Sequence, residues 1–412
     1  MEPFLKYAIS AGADAVLLDG SFACSKGITN PSIYPHNGAL RLSLRSCEYT
    51  FINYRFGCIQ NNQNISWYPL YIYPEVPVNF TSDEYICSLD VDTLELTDSR
   101  RVLECSSRDF VYNGAEDIRL FELNGNLAAA YSSFESDERV SMNISEFDRN
   151  LSVLRTEKYN IEKYEKNWMP VIGRESCYVR KAFGDIIDIR DGSVSHTGDP
   201  TAALNDRGST QMWPYGDGYI GIVHKNYLYR ENGFVGMQYS HKFVVTDKNL
   251  IPVKESAWFV FVGAPIEFTC GMYVSGDELI LPFSVFDSAV FVLRMSMRDV
   301  MRFIDSGPGE LAYGPSKNEL HDIAATKNGD EFIMEIEKYI IRECPGNAAA
   351  KIACLTHIGK LSKNVMLAKE MYVRALCEIK KFGIGMGNAY MQMLVGQDLI
   401  RDTINRFYKN VP

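Results

Sequence analysis

Residues 114–133 read Gly114-Ala-Glu-Asp-Ile-Arg-Leu-Phe-Glu-Leu-Asn-Gly-Asn-Leu-Ala-Ala-Ala-Tyr-Ser-Ser133. Two short apolar runs flank Asn124-Gly125, a dipeptide that tolerates positive φ and so signals a tight hairpin. The polar residues Glu116, Asp117 and Arg119 stand at the end opposite the turn. Working outward, the same grammar returns four times. Asn30-Pro-Ser-Ile33 precedes the His36-Asn-Gly38 turn and the run Ala39–Arg45. Glu165-Lys-Asn-Trp-Met-Pro170 precedes Gly173-Arg-Glu175 and Cys177–Lys181. Gly208-Ser-Thr-Gln-Met212 leads to Asp217-Gly218 and Tyr219–Lys225, and Ile266–Tyr273 leads to Gly276-Asp277 and Glu278–Val285.

A hairpin cannot bury both of its faces alone, so repeated hairpins must stack on one another. A period of roughly 40–60 residues, with one longer insertion after the first unit, fits four-stranded propeller blades. Because the polar motif sits at the same place in every unit, radial stacking brings all five motifs to one central pocket. The expected fold is mainly β: a five-bladed β-propeller over residues 1–295, with Tyr85–Leu96 and His241–Val253 as further strands. Tyr7–Leu18 is apolar but interrupted by Asp14 and too short to span a membrane. It reads as a short helix or strand packing on the first blade.

The pattern changes after that, and residues 296–412 are expected to form a helical C-terminal region. Val365, Ala368, Tyr372, Ala375, Leu376 and Ile379 recur at helical spacing, which predicts a helix over Leu361–Phe382 stopped by Gly383. Asn388 is placed to cap a last helix with Leu394, Val395, Leu399, Ile404 and Phe407 on one face. These helices could pack on the propeller or form a homodimer interface, since an amphipathic stripe requires only that something cover it.

A net charge of −10 without a basic run argues against nucleic-acid binding, which depends on clustered Lys and Arg. The ten cysteines include no CxxC pair, so buried, reduced thiols in a cytoplasmic protein are expected. No membrane-spanning segment and no cofactor motif is read; Gly383-Ile-Gly-Met-Gly387 follows a helix where a dinucleotide fingerprint would follow a strand. Asp90-Val-Asp92 has the Asp-x-Asp form of a metal site, but it lies at a strand-and-turn echoed by Val245-Thr-Asp-Lys-Asn-Leu-Ile251, so no metal ligand is assigned.

Glu116-Asp-Ile-Arg-Leu-Phe121 resembles the Glu-Asp-Pro-Arg motif of glycoside hydrolase family 130, β-mannoside phosphorylases and related hydrolases built on five-bladed propellers. The other blade motifs, with Tyr219–Lys225, Tyr239–Val244 and Phe283–Asp287, resemble that wider group, which includes glycosyltransferase family 108. The resemblance covers roughly residues 28–295. It implies that Asp117 is the catalytic acid/base, and Ile118 stands where the family has proline. It implies an anion site for phosphate or an activated donor from Arg119, Arg180, Lys225, Tyr239 and His241; Arg forks and a Lys charge suit phosphate oxygens. Arg45, Lys166, Asn167, His224, Glu267 and Asp287 are the candidate sugar-binding groups. Glu267 and Asp287 are also candidates for a second carboxylate, which an inverting hydrolase needs to activate water.

The expected activity is a glycosyltransferase that takes a sugar from a nucleotide or phosphate donor to a glycan acceptor. A glycoside phosphorylase or hydrolase is the alternative within enzymes, and a non-catalytic carbohydrate-binding propeller is the alternative outside them.

Overall fold

Each of the five hairpins forms, and each grows into an antiparallel sheet whose four main strands follow one another outward. The computed structural model describes residues 2–47, 49–52, 66–68, 70–72, 80–103, 112–136, 139–196, 206–231 and 234–381. Blade 1 runs Thr29–His36, Ala39–Cys47, Phe80–Leu89, Leu96–Leu103, and blade 2 runs Glu116–Leu123, Asn126–Ser136, Arg139–Phe147, Val153–Tyr159. Blade 3 runs Met169–Pro170, Cys177–Arg180, Asp185–Asp188, Ser193–His196. In blade 4, Arg207–Gly208 and Trp213–Tyr215 both pair with Gly218–Glu231, followed by Phe234–Thr246 and Pro252–Glu255. In blade 5, Glu267–Phe268 and Tyr273–Ser275 both pair with Glu278–Val285, followed by Ala289–Ser296. The protein is a five-bladed β-propeller with C-terminal helices.

The N-terminal stretch departs from expectation. It splits into helix α1 (Phe4–Ser10) and a strand, Asp14–Leu17, that pairs antiparallel with Ala289–Ser296 in blade 5 rather than packing on blade 1. This strand is the outermost of blade 5, so the two ends of the propeller sequence meet in one sheet. That closure leaves neither the first nor the last blade to unzip from the ring. Phe4 of α1 packs on Phe243, Phe259 and Phe303 at centroid distances of 4.9–5.5 Å.

The axis is bridged by one side chain. Gln211, fully buried, donates to Ile33 O at 3.1 Å, Ser32 Oγ at 3.1 Å and Leu120 O at 2.6 Å, and accepts from Met272 N at 3.2 Å. A blade 4 residue thus ties blades 1, 2 and 5 together. Gly271 allows this crowding, since a Cβ there would stand 2.5 Å from Ser32 Oγ.

Two expected strands begin and end earlier than read, as Phe80–Leu89 and Phe234–Thr246, because an Asp-led turn stops each. Asp90 accepts the N–H groups of Asp92 and Thr93, and Asp247 those of Asn249 and Ile251. Asp148 does the same in blade 2. Leu94, Leu151 and Leu250 then take positive φ (59°, 59° and 66°), so the three turns are one repeated device.

After Ser296 come α2 (Met297–Ser306), α3 (Glu319–Thr326), α4 (Gly329–Glu343), α5 (Ala348–Leu361) and α6 (Val365–Lys381). Their apolar faces share the propeller's core: Phe303, Phe332, Ile336, Ile340 and Ala353 join one buried cluster with residues of blades 1, 2, 4 and 5. Helix α6 starts four residues later than expected, because Leu361 ends α5 and Asn364 accepts the N–H groups of Met366 and Leu367; of the expected stripe, Ala368, Ala375 and Ile379 are buried. Gly383 and the helix expected after Asn388 lie outside the described residues. None of the seven cysteines described as free forms a disulfide, and no helix among the described residues is long and apolar enough to cross a membrane.

Candidate active site

The first residues of the innermost strands meet around the axis, and three of them share an unusual backbone. Asn30 in blade 1, Asp117 in blade 2 and Asn167 in blade 3 have φ of 47°, 57° and 63°. Asn and Asp are the non-glycine residues most at ease there. The ladders of blades 1 and 2 slip at these points, between Thr29 and Ser32 and between Glu116 and Arg119, as β-bulges do where a side chain is re-aimed.

The three residues are wired together. Asn30 Nδ2 donates to Asp117 Oδ1 at 2.7 Å, and among the described residues nothing else bonds that carboxylate. Arg119, completely buried, donates to Asp117 O, Asn167 Oδ1, Gly208 O and Ser209 O. Four of the five guanidinium N–H groups are therefore engaged with protein oxygens from blades 2 to 4. Arg119 fixes the backbone beneath Asp117, and only one N–H is left for an anion.

Glu116 gathers the next pair. Arg45 Nη2 lies 3.1 Å from Oε1 and Lys166 Nζ 2.8 Å from Oε2. Burial raises the carboxyl's affinity for a proton, but Arg45 and Lys166 outweigh it and hold Glu116 below the usual range. Behind Arg45, Glu84 is buried with Oε1 unpartnered among the described residues, and burial pushes its pKa well up.

Asp287 enters from the loop after the second strand of blade 5. Its Oδ1 lies 3.2 Å from the Thr29 hydroxyl, and Oδ2 accepts from Tyr49 OH at 3.0 Å. Burial raises its pKa to about 6, against the pull of Arg45 and the Tyr49 hydroxyl, while the charge on Asp117 adds to the rise. Tyr239 completes this side; burial raises its pKa, and the charges of Asp287 and Asp117 push the same way.

Other expected residues are occupied elsewhere. Arg180 is enclosed by carboxylates within blade 3: Glu165 takes two bonds at 2.7 and 3.1 Å, and Asp185 and Glu162 each lie at 2.9 Å. Its guanidinium holds that blade together rather than facing the axis with Asp117. Glu267 accepts four backbone N–H groups from Phe261, Val262, Gly263 and Ala264 at 2.6–2.8 Å. It is a loop staple, fully buried, whose pKa burial pushes up to about 7 while the four donors pull it down.

Lys225 and His241 are separated by the period-two alternation of a strand. His224 faces His241 across the ladder and Lys225 faces Ser240, so the two histidines share one face with Tyr239. Lys225 lies on the other, its Nζ 3.9 Å from the Trp258 ring centroid. His241 is fully buried among Phe259, Phe261 and Phe268, and burial lowers its pKa to about 3. His224, hydrogen-bonded to Ser209 Oγ at 2.8 Å, is likewise held neutral by burial and by His241, Arg119 and Arg207. Neither ring supplies positive charge to an anion.

Four residues of the site stand outside the expected set. Glu116 and Asn30 lie within the quoted motifs beside the expected residues. Tyr49 and Arg207 lie between motifs. Arg207 pairs across the ladder with His224, is exposed, and exerts its charge on both His224 and Tyr239.

No family model matches this chain, and no curated protein does. Its fold is similar to that of a β-1,2-mannobiose phosphorylase from Listeria innocua, at 15% identity and a TM-score of 0.46, over 71% of this chain and 93% of the other. A GDP-Man-dependent mannosyltransferase from Leishmania mexicana is similar at 14% identity and a TM-score of 0.44, over 73% and 93%. A glycosyl hydrolase from Bacteroides ovatus is similar at 12% identity and a TM-score of 0.41, over 66% and 85%.

Proposed function

We propose that this protein is a sugar-processing enzyme, a glycosyltransferase that moves a sugar from an activated donor to a glycan acceptor in the central pocket. The observation that carries the reading is the mounting of Asp117. Its backbone is held by Arg119 and one carboxylate oxygen by Asn30, which leaves Oδ2 to a ligand. Such a carboxyl can pass a proton to or from a sugar oxygen, directly or through a neighbouring hydroxyl. Arg45, Lys166 and Asn167 surround the pocket as hydroxyl-binding groups, and Tyr239 adds a phenol.

The cations favour a nucleotide donor over free phosphate. Arg119 and Arg180 are engaged with protein oxygens, Arg45 and Lys166 are paired with Glu116, and both histidines are neutral. Among the described residues, Arg207 is an exposed cation whose charge reaches Tyr239. Free phosphate depends on several charge-assisted bonds at once. A nucleotide sugar spreads its binding over base, ribose and diphosphate, and one arginine can suffice.

One observation favours a second reading. Asp287 is a second carboxyl whose pKa the charge of Asp117 helps to raise, and an inverting hydrolase pairs its acid with a second carboxylate to activate water. A thermal-shift screen with GDP-mannose, UDP-sugars, mannose-1-phosphate, phosphate and oligosaccharides distinguishes the readings, because a ligand of the native state raises the melting point. A shift with one nucleotide sugar, lost in Arg207→Gln, is expected. A response to phosphate alone, or to glycans alone, would move the assignment to a phosphorylase or to a hydrolase or binding propeller.

A further inference from the structure

Helix α5 begins against the loop that carries Asp287. Asn347 is its N-cap: Oδ1 accepts from Ala350 N at 2.8 Å, while Nδ2 donates to Ser288 O at 2.6 Å. Ile28 N also reaches Ser288 O, at 3.2 Å. The junction is tight enough to require glycine at 27, where φ is +76° and a Cβ would stand 2.4 Å from Ser288 O and 2.9 Å from the Asn347 amide. A second tie follows, as Thr50 Oγ1 donates to Ala349 O at 2.7 Å. Further along α5, the His357 ring meets Phe286 edge-on at 5.4 Å, and its Nδ1 bonds Glu337 of α4.

These contacts fall on the immediate neighbours of two pocket residues. Phe286 and Ser288 flank Asp287, and Thr50 follows Tyr49, whose hydroxyl bonds Asp287. Phe286 and Asp287 both have positive φ, 53° and 48°. They are the central pair of the tight turn that joins Glu278–Val285 to Ala289–Ser296, closed by Ser288 N donating to Val285 O at 3.2 Å, and α5 packs against that turn.

We propose that Asn347 is a positioning residue for the pocket: through Ser288, with the Thr50–Ala349 bond as a second tie, α5 holds Asp287 and Tyr49 in register. The helical segment is then a working part of the site. The proposal rests on the reading of that pocket as catalytic.

The test is Asn347→Ser, which keeps an N-cap hydroxyl for Ala350 N but removes the amide that reaches Ser288. Asn318→Ala, which deletes the cap of α3, is the control for lost helix stability without contact to the pocket. The readouts are turnover with the donor found by thermal shift, and the titration of Asp287 followed by carboxyl NMR or infrared difference against Asp287→Asn. Asp287 faces Arg45, Asp117, Tyr49, Tyr239 and Cys47, all unchanged in the variant. Asn347→Ser is expected to lower kcat at least tenfold with KM little changed. It should also shift the Asp287 titration upward, because the Tyr49 hydrogen bond that favours the ionised form weakens. Asn318→Ala should do neither. Wild-type titration and turnover in Asn347→Ser would overturn the proposal. If no donor is turned over, the catalytic reading fails, while the titration still decides whether Asn347 positions Asp287. Should Asn347→Ser not fold, Thr50→Val cuts the second tie and is read in the same way.

Discussion

Arg119→Lys separates two roles that one residue was open to. If the guanidinium were an anion ligand, lysine would keep the fold and weaken donor binding. The hydrogen bonds point the other way: Nε, Nη1 and Nη2 bind Ser209 O, Asp117 O, Asn167 Oδ1 and Gly208 O in a fully buried site. An ammonium on a straight stem reaches at most two of these oxygens, so two stay buried without a donor. At roughly 1–3 kcal/mol for each unsatisfied group, the variant should lose about 4 kcal/mol of stability. For a chain of this length that corresponds to a melting point lower by about 5 °C. Differential scanning calorimetry measures it directly. Turnover should also fall, because the Asp117 carbonyl loses its restraint. An unchanged melting point together with weakened donor or phosphate affinity would refute the reasoning and return Arg119 to the anion site.

Other outcomes follow from the same contacts. Gln211→Leu keeps volume but leaves Leu120 O, Ile33 O and Met272 N unpaired on the axis. A loss of about 4 kcal/mol is expected in chemical denaturation, and a loss within about 0.5 kcal/mol would mean that the axis is not held there. Asp287 has a folded pKa of about 6 against 3.8 unfolded, so the native state keeps a proton that the unfolded chain has released. Stability should therefore fall as pH rises from about 4 to 6, by on the order of 3 kcal/mol, and Asp287→Asn should remove that part of the slope. Parallel stability curves for the two proteins would contradict it.

The propeller was legible because its signals are local. A Gly-containing turn between two apolar runs needs no knowledge of the rest of the chain, and five such hairpins with the same polar end imply stacking about an axis. The closing strand Asp14–Leu17 was not assigned to blade 5, because four residues without alternation carry no mark of a partner at the far end of the propeller. The outer turns did leave a signal, Asp90…Leu94, Asp148…Leu151 and Asp247…Leu250, whose meaning appears once the leucines are seen at positive φ.

In the site, Asp117 and Asn167 were legible from their motifs. Whether an arginine is free was not, because that depends on carboxylates and carbonyls brought in by folding. Arg180 illustrates this, since Asp185, one of its three carboxylate partners, lies in a strand that no motif marked. The separation of Lys225 from His241 was within reach of the sequence, because strand alternation puts His224 and Lys225 on opposite faces. Tyr49 and Arg207 carried no motif, and only their neighbours in space reveal them.

The central claim is that Asp117 does the proton transfer in a sugar-transferring pocket, and Asp117→Asn tests it most directly. The asparagine keeps the side chain's shape and leaves the backbone that Arg119 restrains. Turnover of the donor identified by thermal shift should fall by about 100-fold or more, within the usual contribution of general acid–base catalysis, while the ligand-induced shift in melting point persists. Full turnover in Asp117→Asn, or a ligand response lost along with activity, would contradict the account.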